Sequence, residues 1–209
     1  MYFKRYITSV LILFGILSGC AGVGVVETSN PAIKLSDARH LFLQQNRPLI
    51  AEKLIIEAMN IYIDQNDLRG MGFAAQTYGQ FLRSKSVVKS ENSYRKLGFR
   101  NEAITFENRL EKSDEYIKKS IVHFNEAESE LKQLDQYDLL TNLYYNLAWS
   151  YYLLNKIDDS CRYYGLSMDA YEENIHRNPQ AIQNVSTGYK SPKEEIEYYI
   201  NKLGCNSNA

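Results

Sequence analysis

The chain has 209 residues, 24 of them lysine or arginine and 25 aspartate or glutamate, for a formal net charge of -1. That balance excludes the basic footprint expected of a nucleic-acid binder, and the length suits one domain with enough core to fold without a disulfide framework. Tyrosine is over-represented at 17 residues while the 11 glycines and 4 prolines are scarce, which predicts helices joined by many amphipathic aromatic contacts.

At the start, Lys4 and Arg5 precede an apolar run from Ile7 to Leu17, and Leu17-Ser18-Gly19-Cys20 closes it. A basic start, a short apolar stretch and small residues before a cut have the order of a secretory signal. The run is also shorter than the roughly 20 apolar residues of a spanning helix. Leu17 to Cys20 resemble the lipobox of bacterial lipoproteins at all four positions. The resemblance implies that residues 1–19 are removed and that Cys20 leads the mature chain and carries the lipid through its thiolate. Ala21 stands where enterobacterial lipoproteins kept in the inner membrane carry aspartate, so the same resemblance implies the periplasmic face of the outer membrane in a two-membrane host. A soluble secreted protein cut near Cys20 is the alternative. Residues 20–35, with Gly22, Gly24, Ser29, Asn30 and Pro31 and no helical period, read as a flexible tether. The folded domain is then 36–209.

Within that domain, Ser36 to Asn46 reads as a first helix. Leu54, Ile55, Ala58, Met59 and Tyr62 form an apolar stripe at helical period, and after Asn66-Asp67 a second stripe runs through Phe73, Ala74, Tyr78, Phe81 and Leu82. Together they predict a helix hairpin with a polar turn. Residues 85–101 lose the period and read as a loop or a distorted short helix. From Glu102 to Leu134 it returns through Ile104, Phe106, Leu110, Tyr116, Ile117, Ile121, Phe124, Ala127 and Leu131, with a break expected near Lys112 to Asp114. Leu143, Tyr144, Leu147, Ala148, Tyr151 and Leu154 make the next stripe, Asn155-Lys156 the turn, and Ile157, Cys161, Tyr164, Met168 and Tyr171 the answering stripe, ended by Asn178-Pro179. Ser191-Pro192-Lys193-Glu194 is a capping box with proline at the first helical position. It announces a closing helix through Ile196, Tyr199, Ile200 and Leu203, stopped by Gly204.

The segment from Tyr145 to Ile157 carries Leu147, Ala148, Tyr151 and Asn155, followed by Ser160 and Tyr164, and this pattern resembles a tetratricopeptide repeat. A looser match runs through Ala58, Tyr62, Asn66-Asp67, Ala74, Tyr78 and Phe81. Ser113, Tyr116, Ile117 and Ser120 resemble the second helix of a repeat. The resemblance implies an all-α fold of tetratricopeptide-like hairpins stacked as a short α-solenoid with a C-terminal capping helix. In that family the first helix of each pair lines a binding surface. Carried over residue by residue, the implied partner-binding positions are Asn142, Tyr145, Trp149 and Tyr152, with Lys53, Ile56, Asn60 and Ile63 as the first hairpin's set. Trp149, the sole tryptophan, has the composition of a binding hot spot, and the plain alternative is that it packs as core.

Signals for chemistry are absent from the chain. His40, His123 and His176 fall on separate predicted helices without a second ligand at i+3 or i+4 that makes a metal half-site. No G-x-S-x-G elbow, activated cysteine or phosphate-cradling glycine loop occurs. We expect no catalytic residues, metal or cofactor. Besides Cys20, the cysteines are Cys161 and Cys205, which either pair in an oxidising compartment or remain two thiols. The function expected is a lipid-anchored envelope adaptor or scaffold, not an enzyme, that binds protein partners in assembling an envelope, secretion or pilus machine. The alternatives are an activator or regulator of an envelope enzyme such as a peptidoglycan hydrolase, and a purely structural subunit.

Overall fold

Four helix ends, at Asn66, Asp135, Asn155 and Gly204, are closed by one device. Each of these residues has positive φ, at 52°, 52°, 58° and 67°. In each case the following N–H reaches back one helical turn, Asp67 to Tyr62, Gln136 to Leu131, Lys156 to Tyr151 and Cys205 to Ile200, all at 2.9 to 3.0 Å. This is the Schellman closure of a helix end, and Asn, Asp and Gly occupy it because they tolerate the left-handed conformation. The computed structural model describes residues 27–180 and 188–205, so Cys20 and the signal-like run lie outside the described residues.

Between these turns the described secondary structure is entirely helical. The helices are α1 (Pro31–Leu43), α2 (Pro48–Asp64), α3 (Leu68–Leu82), α4 (Lys85–Lys89), α5 (Glu91–Leu97), α6 (Arg109–Gln133), α7 (Tyr137–Leu153), α8 (Ile157–Arg177) and α9 (Pro192–Leu203). The most extensive packing is of α1 on α2, α3 on α6 and α7 on α8, while α2–α3, α6–α7 and α8–α9 join successive pairs. Helices α1 and α3 also touch, as do α3 and α7, so the pairs stack in chain order as a short helical solenoid.

A serine clasp recurs inside two pairs. Ser113 Oγ donates to the Gly79 carbonyl at 2.6 Å, and Ser160 Oγ donates to the Ala148 carbonyl at 2.9 Å. Small residues at both ends let the backbones approach closely. A Cβ on Gly79 would stand 2.5 Å from Ile117 Cδ1 and 3.0 Å from the Ser113 carbonyl oxygen. The clasp spans 34 residues in the α3–α6 pair and 12 in α7–α8, and the excess is the excursion through α4 and α5. Polar groups then fix one pair on the next. Gln76 Nε2 donates to the Asn146 carbonyl at 2.7 Å and to Ser150 Oγ at 2.8 Å, while Ser120 and Ser150 hydroxyls meet at 3.0 Å. Arg83 donates to Ser113 Oγ and to the Leu153 carbonyl, each at 2.8 Å, and pairs with Asp114. It thereby supplies a cation to the C-terminal end of α7.

The apolar core is built in two continuous clusters. Ile55, Tyr78, Phe81 and Leu82 are buried in the α1–α3 half, and Phe124, Leu140, Leu143, Leu147, Tyr164 and Ile196 in the α6–α9 half. The buried stripes of α2, α3 and α7 are largely those the helical period picks out. On α8 the buried side is instead Ser160, Tyr163, Tyr164, Ser167, Ala170 and Asn174. Of the expected Ile157, Cys161, Tyr164, Met168 and Tyr171 only Tyr164 is fully buried, because small polar residues such as Ser160 and Ser167 make the close approach to α7.

Four features of the sequence reading are corrected. Helix α1 begins at Pro31, because Asn30 Oδ1 caps it by accepting from Ala32 and Ile33 N–H, so the tether ends before residue 35 and Leu35 is buried in the core. Residues 85–101 contain the short helices α4 and α5, whose Val87 and Tyr94 are buried. The third long segment becomes helical only at Arg109 and does not break at Lys112 to Asp114; Ile104 and Phe106 are buried from a turn held by the Asn108 and Thr105 side chains. Finally, α2 and α3 are neighbours across a junction, since α2 pairs with α1 and α3 with α6. The pairing of α3 is invisible in a linear scan because its partner arrives after α4 and α5.

Candidate functional site

Helix α7 carries two stripes. Leu140, Leu143, Tyr144, Leu147 and Ala148 are buried against its neighbours, and Tyr145, Trp149 and Tyr152, at +4 and +3, share another face. Helix α9 lies against part of that second face. Its capping serine works as the sequence indicates, with Ser191 Oγ accepting from Glu194 N–H at 3.2 Å, whereas the returning Glu194 carboxylate takes the N–H of Lys190 at 2.6 Å instead of that of Ser191. Gly204 ends α9, and the next residue, Cys205, is disulfide-bonded to Cys161 on α8. The open alternative for these two cysteines is thus decided in favour of pairing.

So positioned, α9 presents Tyr199 to a cage of rings. Tyr199 stacks on Tyr164 at 5.5 Å, and meets Tyr145 at 5.9 Å and Trp149 at 5.7 Å edge to face. These are the separations and angles at which aromatic pairs attract beyond simple area burial. Tyr145 Oη donates to Glu195 Oε1 at 2.7 Å. Burial first, and then the carboxylate it donates to, push the Tyr145 phenol far above its ordinary range. Burial likewise raises Tyr164. Both phenols stay neutral, so the rings pack on one another without a buried charge.

The four residues assigned to partner binding therefore divide. Tyr145 is engaged by α9. Trp149 and Tyr152 remain half-buried, their rings tilted against each other at 5.1 Å, and form a ledge beside Tyr199. Asn142 is exposed two turns away, where its carbonyl accepts from Asn146 Nδ2 at 2.8 Å. Of the first hairpin's set, Lys53, Asn60 and Ile63 are exposed and Ile56 packs partly on the core, so α1 does not cover that face. What the sequence could not reveal is that Tyr199 comes back onto Tyr145 and Trp149, because α8 and residues 181–187 intervene.

Elsewhere the chemistry is accounted for by structure. Glu52 is a buried carboxylate whose Oε1 accepts from Tyr78 Oη at 2.9 Å and from Arg100 N–H at 2.8 Å, which anchors the turn after α5. Burial raises its pKa. His40 and His176 are exposed, and His123 Nδ1 stands 3.4 Å from Glu126. Among the described residues no three His, Cys, Asp or Glu side chains gather as a metal site, and no helix is long and apolar enough to cross a membrane.

Compared with family models, with curated proteins and with solved structures, the chain has no match in any of the three.

Proposed function

We propose that this protein is a tetratricopeptide-type adaptor, held at the cell envelope by a lipid on Cys20, that captures a protein partner on the Trp149–Tyr152 ledge. The observation that carries the reading is the ledge itself. Two half-buried rings on α7 are backed by Tyr199, which lies on α9, the helix whose end is tied to α8 by the Cys161–Cys205 bond. Rigid aromatic surface fixed before binding loses little conformational freedom when a partner arrives, and such positions are where binding energy concentrates. The disulfide supports an exported location, since such bonds persist in oxidising compartments. The lipobox resemblance supports the anchor, and Ala21 the outer membrane of a two-membrane host. A stack of helix pairs offers an extended surface of the kind that holds other proteins.

Affinity capture from solubilised envelope tests the central claim. Trp149→Ala is expected to weaken capture of a specific partner by about 2 kcal/mol, as central aromatic positions do. Unaltered capture together with a lowered melting temperature refutes the ledge as a binding surface and makes it core. Metabolic labelling with palmitate tests the anchor separately. Label is expected on the wild type and absent from Cys20→Ser, and an unlabelled wild type overturns the lipid assignment.

A further inference from the structure

On the α2–α3–α6 side lies a half-open cavity of about 700 Å³. It shares no residue with the α7 ledge. Its apolar lining comes from three helices: Met59 and Ile63 of α2, Met71 and Ala75 of α3, and Tyr116 and Val122 of α6. Ile63 and Val122 are 54% and 53% exposed, a large fraction for aliphatic side chains that face each other across one hollow. A volume of this size falls in the range of small-molecule sites, which are apolar with a few charged groups at one edge.

The charge is placed on one side only. Helices α2 and α3 contribute no charged residue to the lining, while α6 contributes Lys118, Lys119, His123 and Glu115. Glu115 is already taken by Lys112 at 2.9 Å. Lys119 sits over the Tyr116 ring at 5.0 Å, and among the described residues neither Lys118 nor Lys119 has a carboxylate within ion-pair distance. The rim therefore has two ammonium groups in excess beside an apolar bed.

The distribution of charge decides what class of occupant fits. Met59 and Ile63 of α2 and Met71 and Ala75 of α3 line the hollow together with the lysine-bearing α6, so a matching occupant presents an apolar body to α2 and α3 and an anionic end to α6. In a hollow of small-molecule size, that polarity suits a single flexible alkyl chain ending in an anion. We propose that this cavity binds a free medium-chain carboxylate, its alkyl chain against Met59, Ile63, Met71 and Ala75 and its carboxylate at Lys118 and Lys119. The occupant is a soluble amphiphile and not a bilayer lipid.

The test is photo-labelling of the full chain in lipid nanodiscs with a diazirine-bearing decanoate, followed by mapping of the modified peptides. Label is expected on peptides carrying Met59, Ile63 and Met71, displaced by excess decanoate and not by decyltrimethylammonium. The exposed pair of substitutions Lys118→Glu and Lys119→Glu, with an unchanged circular-dichroism melt, is expected to lower that label about tenfold, the scale of two charge reversals beside one headgroup. Label spread over the chain or absent from these peptides overturns the proposal. So does equal displacement by the cationic amphiphile, or undiminished labelling of the double variant.

Discussion

Removing the Cys161–Cys205 bond is the most informative perturbation, because it acts on α9 and leaves every other helix with its contacts. The cysteines are separated by 44 residues in sequence, and closing a loop of that length removes chain entropy from the unfolded state worth about 4 kcal/mol at 25 °C. The value is an upper figure, since the loop contains most of α8 and all of α9, which retain local structure when unlinked. What the bond secures is specific: Ile196 fully buried, Tyr199 stacked on Tyr164, and Tyr145 donating to Glu195. The chain's single tryptophan lies edge-on to Tyr199, so its emission reports α9 docking directly. In urea titrations, the Cys161→Ser, Cys205→Ser protein is expected to lose between 2 and about 4 kcal/mol. Its Trp149 emission should shift at lower urea than its helical circular-dichroism signal, while the oxidised wild type unfolds with both signals together. If the two proteins unfold at midpoints corresponding to less than about 0.5 kcal/mol difference, the range of an ordinary surface change, α9 is held by its packing alone and the reasoning fails.

Three further outcomes follow from the helix contacts and from Glu52. Ala148→Glu places a carboxylate at a fully buried position whose carbonyl is already clasped by Ser160; a loss of about 3 kcal/mol or more is expected, and a melting temperature within a degree or two of wild type refutes the α7–α8 register. Gly79→Ala should gain nearly 1 kcal/mol of helix propensity yet lose about 1 to 3 kcal/mol net through the Ile117 and Ser113 contacts, so a thermal melt showing stabilisation is the contrary result. For Glu52, burial raises the folded pKa above the ordinary 4.5, so folding favours the protonated form. Its contribution is complete below the unfolded value and is lost as pH rises through the folded one. Relative to Glu52→Gln, which keeps an acceptor for Tyr78 and Arg100, wild-type stability should fall between mildly acidic and neutral pH in urea titrations, and parallel pH profiles contradict the burial argument.

The helical character of the chain is legible in the sequence because the long helices bury apolar residues at period 3.6, as Leu143, Tyr144, Leu147 and Ala148 of α7 show, whereas on α8 the buried side carries Ser160 and Ser167, which an apolar count passes over. The turns at Asn66 and Asn155 are legible for an equally local reason, the tolerance of asparagine for positive φ. What resists reading is anything decided across distance. Ile104 and Phe106 mimic helical spacing although they are buried from an irregular turn, since periodicity registers burial and not backbone conformation. The α3–α6 pairing is masked by α4 and α5. At the ledge, α7 shows Tyr145, Trp149 and Tyr152 on one face, but nothing in those residues says that Tyr199 covers part of it. The hollow between α2 and α6 is legible only after folding, because its lining is gathered from three helices.

The unequal serine clasps bear on the order in which the chain assembles. Bringing Ser160 to Ala148 closes a 12-residue loop, whereas bringing Ser113 to Gly79 closes one of 34. The longer closure costs about 1 kcal/mol more in chain entropy, before any contact made by α4 and α5 offsets it. Local pairs form ahead of distant ones when stabilities are similar. The α7–α8 hairpin is therefore the expected nucleus, and α6 docks onto α3 as the late event that joins the two core clusters. Lengthening the α4–α5 excursion should slow that closing step while leaving the hairpin's own formation untouched, so the break in the repeat acts as a kinetic seam between two halves of the molecule.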